Sequence, residues 1–116
     1  METKFNFNSQ VCTNRSQSER LLALGLKKET ADCYLRKDIS GDGYMLIAYP
    51  WRHSYDIPAW SLHRLIEMID DECVIHLSNF SISGRIFTKS NNLYDNLCDC
   101  IEWLIKEGYF NKEYLV

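Results

Sequence analysis

The stretch DIPAWSLHRLIEMI, residues 56–69, is where the fold can be read from. Ser61 has the chemistry of a helix N-cap, because its hydroxyl can accept a free backbone N–H two or three residues on. Trp60 precedes it and Leu65 lies four residues after it, the spacing of a hydrophobic staple. Leu62, Leu65, Ile66 and Ile69 then recur at helical spacing and make one apolar face. Pro58 holds the approach extended by pushing Ile57 out of helical geometry. The stretch reads as a buried central helix over 61–69 with a tryptophan at its mouth. Nothing in it specifies an activity.

Working toward the C-terminus, Asp70, Asp71 and Glu72 would oppose the macrodipole if the helix continued, so it should stop near Ile69. Residues 73–77, CVIHL, read as a strand, and 85–88 as another that could begin as early as Ile82. Ser78, Asn79, Ser81, Ser83 and Gly84 supply turn chemistry between them, and the spacing suits an antiparallel hairpin. Asn91 or Asn92 can cap a final helix over 92–107, with Asp95 in its first turn. Leu93, Leu97, Cys100, Ile101, Leu104 and Ile105 form its apolar stripe. Gly108 ends it, and Tyr109 and Phe110 can fold back. Tyr114 and Leu115 would order the tail.

Working toward the N-terminus, residues 44–49, YMLIAY, read as a strand that Pro50 ends or confines to an edge. Residues 36–43, RKDISGDG, read as a turn. Asp38, Ser40, Asp42 and Gly43 imitate the start of a calcium loop, but Leu46 and Tyr49 stand at its ninth and twelfth positions, where ligands are needed. A turn before a strand explains these residues better. Residues 28–35 offer Ala31, Tyr34 and Leu35 to a short helix. Ser16 and Glu19 have capping-box spacing ahead of Leu21, Leu22 and Leu24, with Gly25 as the terminator, which predicts a helix over 16–24. Residues 1–12, with Phe5 and Phe7, read as an extended arm on a single domain spanning 1–116. The expected class is α+β: helices 16–24, 28–35, 61–69 and 92–107 packed on a small antiparallel sheet of strands 44–49, 73–77 and 85–88.

Composition removes several classes of function. Hydrophobic residues make up 46% of the chain, enough for an ordinary core. No apolar run is long enough for a membrane helix, and METKFNFNSQ has no secretory h-region, so a cytoplasmic protein with no membrane partner is expected. The net charge is −3. Residues 1–58 hold eight Lys/Arg and seven Asp/Glu, and residues 59–116 hold five and nine. Neither half is a basic footprint for duplex nucleic acid, nor acidic enough for a DNA mimic. Cys12, Cys33, Cys73, Cys98 and Cys100 are odd in number and lack a CxxC, so they read as free thiols. Cys98 and Cys100 sit two apart on a helix and cannot share a metal or a disulfide.

No catalytic constellation appears. His53, His63 and His76 occur singly; His63 and Glu67 have i,i+4 spacing, but one pair is not a metal site. There is no nucleophile elbow, P-loop or dinucleotide fingerprint. No cofactor, metal or enzymatic activity is therefore expected. The densest chemistry is Tyr49, Trp51, Arg52, His53, Tyr55 and Trp60. With Tyr49 on the strand and Trp60 committed to the helix, Trp51, Arg52, His53 and Tyr55 are left as the candidate binding surface. Packing around the helix entrance is the competing explanation. Aromatics beside a cation suit a protein hot spot, and they also suit base stacking on a single strand.

SQSERLLALGLKKETADCYL, IPAWSLHRLIEMI and LYDNLCDCIEWLIKEGYFN together resemble small uncharacterised proteins of gut anaerobes and their prophage-like or mobile regions. The resemblance covers about half of the chain and implies no catalytic residue or cofactor. The expectation is a small non-enzymatic interaction or accessory protein, with an unknown protein partner or self-association. The alternative is an accessory factor binding single-stranded nucleic acid.

Overall fold

The structure, a computed structural model, describes residues 10–37, 43–48, 55–69, 75–76, 81–82, 85–86 and 92–116. Helix α2, Leu62–Ile69, forms where its sequence places it. The Ser61 hydroxyl accepts the Arg64 N–H at 3.1 Å, and the Ser61 carbonyl accepts the Leu65 N–H at 3.0 Å. Trp60 and Leu65 belong to one core cluster, as the staple spacing requires. The buried face is centred on Leu65, Met68 and Ile69, while Leu62 and Ile66 are half-buried.

Helix α1 spans Arg15–Ala23. Its capping box is Asn14 with Gln17, not Ser16 with Glu19: the Asn14 side chain accepts the Gln17 N–H at 2.8 Å, and the Gln17 side chain accepts the Asn14 N–H at 3.0 Å. Asn14 has the extended backbone a cap requires, whereas Ser16 is already inside the helix. Gly25, at φ +104°, closes the helix: its N–H reaches the Leu22 carbonyl, and the Leu26 N–H reaches that of Leu21. Helix α3, Leu93–Glu107, is capped by Asn92, which accepts the Tyr94 and Asp95 N–H groups. It closes at Gly108 in the same left-handed manner.

The expected helix over 28–35 does not form. A single 3₁₀ turn, Lys28–Thr30, gives way to extended backbone at Ala31 and then to strand β1, Cys33–Lys37. Arg36 and Lys37 therefore belong to a strand rather than to a turn. The segment is as short as a strand, and its helical spacing is outweighed by pairing on both sides. β1 is the central strand of a sheet ordered β2-β1-β3, with β2 at Tyr44–Ala48 and β3 at Ile57–Ala59. Both pairings are antiparallel; Leu35 lies opposite Leu46 on one side and Ile57 on the other. Strands 44–49, 73–77 and 85–88 accordingly do not share one sheet. A separate antiparallel sheet joins β4, Ile75–His76, to β5, Ser81–Ile82, and β5 to β6, Arg85–Ile86. Among the described residues there are three α-helices, and the α+β class holds.

The main core lies between the three helices, with Trp60, Leu21, Leu65, Leu97, Ile101 and Leu104 almost fully buried. A smaller cluster of Cys12, Leu35 and Ala59 sits on the β2-β1-β3 sheet. Helices α1 and α3 are joined by Gln17 to Asp95 at 2.6 Å and by Arg20 to Asp99 at 2.7 Å and Glu102 at 2.9 Å. Among the described residues no helix is long and apolar enough to cross a membrane. The candidate calcium turn at 38–42 and the acidic residues at 70–72 lie outside the described residues.

Candidate functional site

Continuing the β1/β3 register one step beyond Leu35 and Ile57 brings Arg36 opposite Asp56. The side chains meet there as a two-pronged ion pair. Arg36 Nε donates to Asp56 Oδ1 at 2.9 Å, and Nη2 donates to Oδ2 at 2.9 Å. The Asp56 side chain is fully buried and that of Arg36 is 20% exposed. This geometry matches the planar fork of a guanidinium to both oxygens of a carboxylate, which fixes the arginine in orientation as well as in position.

The fixed guanidinium carries Tyr55. Its central carbon lies 5.8 Å from the centre of the Tyr55 ring, a cation–π contact. Tyr55 is 70% exposed, so the ring rests on the arginine while offering most of its surface to solvent. Of the four residues expected to form a binding surface, Tyr55 is the one described. Trp51, Arg52 and His53 lie outside the described residues, as does Tyr49. Trp60 is in the core at 0% exposure, and its indole N–H donates to the Thr30 hydroxyl at 3.0 Å. Arg36 and Asp56 escape sequence reasoning because 36–43 reads as a turn. Only after 33–37 is recognised as a strand does the register bring them together.

A second polar cluster surrounds the start of α2. Asp32 accepts the Ser61 N–H at 2.8 Å and the Ser61 hydroxyl as well. Cys33 lies beside it, and Cys12 bridges to Ser61 from another segment. Burial, and then the Asp32 carboxylate, push the Cys33 thiol up to about 12, and the same two causes raise Cys12. These sulfurs are protonated near neutral pH, because burial and Asp32 outweigh the pull of the Arg64 guanidinium on the Cys33 thiol. His63 and Glu67 approach to 3.4 Å on an exposed face of α2. Among the described residues no three His, Cys, Asp or Glu side chains converge as metal ligands do. A depression of about 330 Å³ lies between Met68 and Ile69 of α2 and Tyr109 to Lys112. No protein-family model, curated protein or solved structure matches this chain.

Proposed function

We propose that this protein acts by binding another protein through the surface that Tyr55 presents, as a non-enzymatic accessory factor. The observation that carries the proposal is an exposed aromatic ring held on an arginine that is itself clamped to a buried carboxylate. Tyrosine and arginine dominate protein hot spots because each offers a large, partly apolar face and a polar tip. A ring already ordered in the free protein gives up little conformational freedom on binding. Trp51, Arg52 and His53 precede Tyr55 closely enough in the chain to contribute to the same surface.

Single-stranded nucleic acid is the alternative ligand, since an exposed ring beside a guanidinium can stack on a base. The Arg36 charge is matched by Asp56, which leaves less of it for a phosphate, and the net charge of −3 works against the same ligand. Affinity capture with the wild-type chain and Tyr55→Ala, each with and without nuclease, separates the two. The expected result is a protein partner that survives nuclease and is weakened by about tenfold or more in Tyr55→Ala, while the melting temperature is unchanged. Material lost on nuclease treatment, together with salt-sensitive binding of fluorescent oligonucleotides, would give the surface to nucleic acid instead. Capture unaffected by Tyr55→Ala would remove Tyr55 from the site.

A further inference from the structure

We draw no further inference here: the strongest candidate, the surface depression between Met68 and Ile69 at the end of α2 and Tyr109 to Lys112 beyond α3, carries nothing, because nothing in the structure shows what fills or covers it.

Discussion

Trp60 joins three parts of the chain through its main chain and its ring. Its backbone exchanges bonds with Thr13, and its indole reaches Thr30, whose hydroxyl donates in turn to the Lys27 carbonyl at 2.6 Å. Removing the ring empties a fully buried site, so Trp60→Ala should cost roughly 3–5 kcal/mol in urea unfolding. Ser61→Ala should cost roughly 0.5–2 kcal/mol through the lost cap. Asp32 would keep the Ser61 N–H, which limits that loss. Equal, negligible losses at both positions would place the start of α2 elsewhere. Trp60 and Ser61 were legible in the sequence because a cap and a staple are local chemistry. Arg36 and Asp56 were not, since their meeting depends on strand register across twenty residues of chain.

At the scale of elements, the local endings of helices proved the most readable feature. Gly25 and Gly108 both adopt the left-handed backbone that only glycine enters without strain. Gly108 provides a clean measurement, because a methyl group there would meet nothing within 4 Å. Gly108→Ala should therefore lose about 1–2 kcal/mol from backbone strain alone. Stability equal to wild type in urea would mean that α3 does not close in this way. The start of α1 shows the limit of such reading. Ser16 with Glu19 and Asn14 with Gln17 have the same spacing and comparable chemistry, and tertiary contacts favour the second pair. Gln17 also donates to Asp95 on α3 and accepts from the Gln10 side chain at 2.7 Å, neither of which is visible locally.

At the scale of the molecule, burial of thiols links the fold to alkaline pH. Cys98 is fully buried in α3, and desolvation raises its pKa from 9.0 to about 12. The unfolded chain loses this proton near pH 9.0, whereas the folded chain keeps it until about 12. The unfolded state therefore binds fewer protons over that interval, and stability falls as pH rises through it, being full below it. Cys33 shifts in the same direction. Urea midpoints measured at a series of pH values should fall from pH 9 upward, and the fall should be shallower in Cys98→Ala. Identical slopes for the two proteins would show that Cys98 ionises equally in both states.

Three kinds of information in the sequence were sufficient by themselves: the caps of α2 and α3, the glycine terminators, and apolar periodicity over α2 and α3. Each acts within a few residues, so the neighbouring chain alone determines it. Tertiary structure decided what those signals leave open. It turned 33–35 from helix, and 36–37 from turn, to strand by giving them partners. It divided the strands between two sheets, and it set a buried aspartate under an arginine so that one tyrosine stands on a fixed base. Strand pairing is long-range, and its free energy comes from partners that a short segment does not contain. For that reason α1, α2 and α3 could be read from this chain, while the strand in place of the expected helix over 28–35, the sheets and the surroundings of Tyr55 needed the fold.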